Sequence, residues 1–166
     1  MEDAVRADAP PGELIEQIAV ACRLFGSDPA AVYSLRRARE GTDSISVHFG
    51  FRDGGMALVD VTLVQPDMQG YYSLTAIGST GAAYADEHRD AHLVVGEGAP
   101  VALLLDQERA TRINELGEFL AAVRDARQPT SGGEWVTAAM SVTKVVLDGI
   151  ASGDSLRREG AGYERV

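Results

Sequence analysis

The sequence predicts an α+β fold: a mainly antiparallel, open β-sheet with helices packed on one face. Three observations carry this reading. An amphipathic helical stretch begins shortly after the N-terminus. A block of short segments with alternating hydrophobicity, broken by Gly- and Pro-containing turns, fills the middle. Two further helical stretches close the chain. Strands gathered in one block with helices at the ends favour antiparallel pairing over βαβ units.

The first helix is expected over Glu13 to Phe25. Leu14, Ile15, Ile18, Ala19, Cys22 and Phe25 recur at helical spacing and define one buried face. Gly26 follows where a helix stop belongs, and Asp28-Pro29 forbids continuation. Ala31 to Arg37 reads as a strand. Ile45, Val47, Phe49 and Phe51 then alternate with Ser46, His48, Gly50 and Arg52, the pattern of a half-buried strand. Asp53-Gly54-Gly55 supplies a hairpin turn, and the return strand runs from Met56 to about Val64. Tyr71 to Ile77 and Gly81 to Asp86 read as two strands around the turn Gly78-Ser79-Thr80-Gly81. His92 to Val95 and Val101 to Leu105 complete the β-rich middle.

The closing helices are expected from about Arg109 to Ala126 and from Glu134 to about Ala151. In the first, Ile113, Leu116, Gly117, Leu120 and Val123 share one face. In the second, Trp135, Ala138, Ala139, Val142, Val145, Val146 and Ile150 point inward. The organisation predicted is a disordered acidic lead-in over residues 1–11, one α+β domain over 12–158, and a loose charged tail over 159–166.

Composition excludes several classes. The chain has 166 residues, 45% hydrophobic and 24% charged, with a net charge of −10. That charge repels phosphate backbones and anionic lipid, so neither nucleic acid nor membrane is an expected partner. No apolar run approaches the roughly 20 residues of a membrane span. The N-terminus lacks the features of a signal peptide, and the one cysteine, Cys22, forms no internal disulfide; both point to the cytoplasm. Lys144 is the single lysine, and with Asp148 it is spaced for an exposed i,i+4 pair. Cys22 sits in an apolar helical stretch and reads as a buried small hydrophobe rather than a nucleophile.

No GxGxxG, P-loop, Gly-x-Ser-x-Gly or CxxC motif occurs. No cofactor and no metal are expected; His88 and His92 have ligand spacing only if helical, and their segment reads as a polar connection. The Gly78–Gly81 turn needs no ligand to explain it. His48 lies on the polar face of its strand with Ser46 and Arg52 in line. Glu16 interrupts the first helix with a carboxylate. These two are the candidate general acid–base groups. Arg52, Tyr71 and Tyr72 are the candidate substrate-binding residues, the tyrosines because they occupy opposite strand faces, so that one borders a pocket or interface.

Taken in order, the stretches GELIEQIAVACRLFG, YYSLTAIGSTGAAYADE, INELGEFLAAVRDARQP and WVTAAMSVTKVVLDGIASGD resemble the C-terminal α/β domain of the Gfo/Idh/MocA oxidoreductases, over roughly residues 12–158. The resemblance implies a domain that normally follows a Rossmann domain binding NAD or NADP, with a catalytic lysine at the end of that domain. It also implies a His and an Asp three residues apart in the first helix. The corresponding positions here are Glu16 and Ala19, so those roles do not carry over. In that family the sheet mediates oligomers. The expectation is therefore a homodimer through the open sheet face, where Met56, Leu58 and Val64 project. Autonomous hydride transfer is not expected. The leading functional reading is a non-redox small-molecule-binding or accessory subunit that completes a separate Rossmann subunit. The alternatives are a cofactor-free isomerase, lyase or cyclase acting on a sugar-like or secondary-metabolite substrate, and a degenerate remnant with only a packing role.

Overall fold

The computed structural model describes residues 12–39, 42–63, 72–86, 91–96, 98–104, 107–130 and 132–166. The elements run α1 (Gly12–Phe25), β1 (Ala31–Arg39), β2 (Thr42–Gly50), β3 (Met56–Leu63), β4 (Ser73–Gly78), β5 (Gly81–Asp86), β6 (Ala91–Val95), β7 (Val101–Leu104), α2 (Gln107–Arg124), α3 (Gly133–Ser152), β8 (Leu156–Glu159) and β9 (Gly162–Arg165). The α+β class and the antiparallel pairing agree with the sequence reading. The strands assort into two sheets, five-stranded β3-β2-β1-β8-β9 and four-stranded β4-β5-β6-β7. They belong to two compact units, residues 1–65 with 131–166, and residues 66–130.

The first unit holds the core. In α1, Leu14, Ile18, Ala21 and Cys22 fall on one face and are buried. The helix ends in a Schellman motif: Ser27 N–H donates to Cys22 O and Gly26 N–H to Arg23 O, both at 3.2 Å, with Gly26 at φ +64°. β2 pairs with β1 on one side and β3 on the other, so that Tyr33, His48 and Leu58 form one cross-strand row and Val47 sits opposite Val59. Period-two alternation sends Ile45, Val47 and Phe49 to one face, where they join Leu14, Ile18, Val142 and Val146. Each such side chain contributes roughly 1.5–3 kcal/mol on full burial. The hairpin turn follows its sequence: Gly54 sits at φ +86°, and a Cβ on Gly55 would collide with the Phe25 ring, itself stacked on Phe51 at 4.0 Å.

α3 lies against both α1 and β1. It comes close at Gly149, where an added Cβ would lie 2.7 Å from Ser34 Oγ. Ser34 is buried and donates its hydroxyl to Val146 O at 2.8 Å; Thr143 donates to Ala139 O at 2.7 Å. Gly153 ends the helix at φ +74°, its N–H bonded to Gly149 O.

The loose tail expected after residue 158 is a correction. β8 joins β1 and β9 joins β8, placing Leu156 opposite Val32. Tyr163 Oη donates to Pro29 O at 2.6 Å, and Arg158 pairs with Asp28 at 3.0 Å. Strands of four residues dominated by charge carry no visible alternation. One buried Leu, one aromatic anchor and a ladder bond from Arg158 N to Ala30 O hold the hairpin in place.

The second unit is an antiparallel meander followed by α2. Gly81 is required by close approach, since a Cβ there would collide with Val95 O. Both faces of this sheet carry apolar side chains that remain exposed, among them Ile77, Tyr84 and Leu93 on one and Val94 and Val101 on the other. Ile113, Leu116, Leu120 and Val123 do share a face of α2, and that face is exposed. The helix ends on Ala126 at φ +48°, stabilised by Glu118, whose carboxylate accepts from Arg127 at 2.8 and 3.0 Å and from Thr130 N at 2.7 Å.

The α3–β1 approach yields a stability test. Gly149→Ala is expected to cost about 1–3 kcal/mol by overpacking, and Ser34→Ala in the same chain to recover part of that loss. Urea unfolding of the two single variants and the double variant measures the coupling; additive effects would mean that the contact does not constrain the helix.

Candidate functional site

The alternation that buries one face of β1–β3 leaves the other open. Ser44, Ser46 and His48 of β2 share this face with Met56, Leu58, Asp60 and Thr62 of β3 and with Tyr33, Leu35 and Arg37 of β1. The register builds three rows: Leu58–His48–Tyr33, Asp60–Ser46–Leu35 and Thr62–Ser44–Arg37. Met56 is 82% exposed, Leu58 58%, and Tyr33 and Leu35 39% each. The polar groups are tied together: Ser46 Oγ donates to Asp60 Oδ1 at 2.5 Å, and the Ser44 and Thr62 hydroxyls lie 3.2 Å apart. The Tyr33 and His48 rings meet edge to face with centroids 6.2 Å apart.

Glu16 and His48 lie on opposite sides of the five-stranded sheet. Glu16 is an exposed residue of α1, the helix covering the buried sheet face. His48 projects from the opposite face, so the sheet separates the two candidate acid–base groups. Arg52 is exposed in the β2–β3 turn. Tyr72 is half-buried in the second unit, and Tyr71 lies outside the described residues. His88 also lies outside them; His92 is on β6, opposite Ala85 and Leu103. Among the described residues no cluster of three His, Cys, Asp or Glu is placed to hold a metal ion. No helix among them is long and apolar enough to cross a membrane.

Sequence reasoning missed Tyr33, Leu35 and Asp60 as members of the open face. The signal was present in the opposite parity of Val32 and Ser34. It also missed an open groove of about 660 Å³ between α3 and the β8–β9 hairpin, lined by Lys144, Asp148, Arg158 and Tyr163 among others. The charges there are matched within the protein: Arg158 with Asp28, and Lys144 with Asp148 at 2.6 Å. Arg158 also lies over the Tyr163 ring, 6.0 Å from its centroid.

The first unit is an open antiparallel sheet backed by α1 and α3, and the second holds a four-stranded antiparallel sheet and α2. Solved structures place this class more closely. The chain is similar to aldose-aldose oxidoreductase from Caulobacter crescentus (TM-score 0.67, 16% identity, 87% of this chain and 46% of that one). It is similar to UDP-N-acetylglucosamine 3-dehydrogenase from Acidithiobacillus ferrooxidans (TM-score 0.69, 15% identity, 84% and 46%). Levoglucosan dehydrogenase in complex with NADH aligns at TM-score 0.69 and 13% identity over 87% of this chain and 48% of that one. The chain has the fold of the C-terminal domain of Gfo/Idh/MocA-type oxidoreductases, and it spans about half the length of these solved chains. No family model matches the sequence, and no curated protein matches it.

Cys22 is 1% exposed, and burial, followed by the nearby Asp28 carboxylate, pushes its thiol up to about 11 from an ordinary value of 9.0. A raised folded-state value favours the protonated thiol, so this contribution to stability is complete below about pH 9 and is lost as the pH rises towards 11. At pH 8 the native protein is expected to react with a thiol reagent only as fast as it unfolds, and stoichiometrically in denaturant. Fast labelling of native protein would make Cys22 an accessible nucleophile after all.

Proposed function

We propose that this chain is a non-redox accessory and assembly domain, which packs on a second copy of itself through the open face of the five-stranded sheet. The observation that carries the reading is the set of exposed apolar side chains on that face, Met56, Leu58, Tyr33 and Leu35. Such a surface is unfavourable in water and favours a covering partner. Charge placement supports a second copy as that partner. Asp60 lies on the β3 flank, whereas Arg37 lies on the β1 flank and Arg157 beyond it on β8. A two-fold axis running along β2 sets the β3 flank of one copy over the β1 flank of the other with the rows in register, so Asp60 lies over Leu35, one row from Arg37. At a strand spacing of about 4.8 Å the face measures roughly 500 Å² in flat projection, in keeping with the ~800 Å² of accessible surface that each partner contributes to a stable interface.

The accessory part of the reading rests on the separation of Glu16, on the helix layer, from His48, on the opposite face of the sheet. In this reading any nucleotide chemistry comes from a separate Rossmann-type subunit, the protein acts in the cytoplasm, and the chain itself holds no cofactor. A small-molecule ligand, where the assembly takes one, is shared with that subunit. Cofactor-free catalysis by this chain has no comparable support.

Sedimentation equilibrium at tens of micromolar is expected to give a dimer. Leu58→Glu is expected to give a folded monomer, because Leu58 lies outside the core, with association weakened by about 100-fold or more. A wild-type monomer at that concentration would overturn the interface. Native mass spectrometry of protein isolated from its source is expected to reveal a larger companion chain; a homodimer alone would count against the accessory role.

A further inference from the structure

The open face holds one imidazole on its middle strand, His48. Imidazole is the side chain that ordinarily gains its proton between pH 5 and 8. His48 stands between Leu58 and Tyr33, with Met56 and Asp60 diagonal to it on β3 and Ala31 and Leu35 diagonal on β1. Ser46 and Gly50 are its same-face neighbours on β2. Two of the titratable side chains in this ring are Asp60 and Tyr33. The Asp60 carboxylate already accepts the Ser46 hydroxyl at 2.5 Å, and the Tyr33 ring meets His48 edge-on. The arginines of the face lie further out: Arg37 two rows away, and Arg157 beyond Ala31 on β8.

We propose that His48 makes self-association through this face pH-dependent. The inference rests on the sheet-face dimer. Neutral imidazole is compatible with a covered row of Leu and Tyr side chains. Imidazolium is not, because covering it removes its hydration while the one adjacent carboxylate is shared with Ser46. The sign follows. Covering His48 favours its neutral form, so association is strongest above neutral pH and is lost as the pH falls. In a two-fold dimer both copies contribute, and each unit of depression in His48 affinity for its proton is worth up to tenfold in the association constant.

The test measures the dimer dissociation constant by sedimentation at pH 8 and pH 5.5 for the wild type, His48→Gln and His48→Phe. The wild-type constant is expected to weaken about tenfold or more on acidification, and both variants to bind equally well at the two pH values. Asp60→Asn, which removes the neighbouring carboxylate, is expected to enlarge the wild-type effect. A dimer whose constant is independent of pH, or one that tightens in acid because His48 pairs with Asp60, would overturn the inference while leaving the interface standing. Variants that retain the wild-type dependence would do the same. Absence of a dimer at pH 8 would overturn the interface and this inference together.

Discussion

The first unit depends on the alternation along β2. Ile45, Val47 and Phe49 project to one side and are 3%, 0% and 2% exposed beneath α1 and α3. A slip of one residue in the register would send all three to solvent and bring Ser44, Ser46 and His48 into the core. The register is therefore held by burial rather than by the hydrogen-bond ladder, which would be equally satisfied after the slip. The open face is a consequence of the same constraint: what β2 does not bury, it must display.

Other features fix where the covering helices can lie. α3 approaches β1 closely enough that Gly149 has no room for a side chain, and the Ser34 hydroxyl spans the gap to Val146 O. α1 ends at Gly26, which turns the chain so that Pro29 is buried and its carbonyl oxygen receives the Tyr163 hydroxyl. The C-terminal hairpin is thus anchored through the α1–β1 connection as well as through its pairing with β1. Burial raises the phenol of Tyr163 to about 12, so this anchor keeps its proton across the physiological range.

The sequence made the long, strongly patterned elements legible. α1, β2, β3 and α3 lie within a few residues of their expected bounds, because apolar spacing, Gly turns and Gly stops all agree. It did not reveal β8 and β9, where four-residue strands contain mainly Arg and Glu and gain their place from tertiary contacts. It did not divide the strands between two sheets, since alternation reports which side of a strand is apolar and says nothing of its neighbour. The stripe on α2 was legible as a stripe, but spacing alone does not say whether anything covers it. Of the candidate site, His48 was found by parity. Glu16 was not separable from it, because the sides of a sheet are assigned only when the helices are in place.

That separation bears most directly on function. General acid–base catalysis needs its groups within hydrogen-bond reach of one reacting centre. A sheet with a helix layer on one side keeps Glu16 and His48 apart. The cations lining the open groove face a parallel obstacle, since an incoming anion would have to displace Asp28 from Arg158 or Asp148 from Lys144. Association makes no such demand. It needs a broad surface with exposed apolar side chains and charges of opposite sign on its two sides, and the face of β1–β3 has these: Met56, Leu58, Tyr33 and Leu35 exposed, Asp60 on the β3 side and Arg37 on the β1 side. A fold of this kind carries many activities, and its role in any one chain is decided by the groups placed on its surface. Here the groups on the open face are exposed apolar side chains, opposite charges and one imidazole.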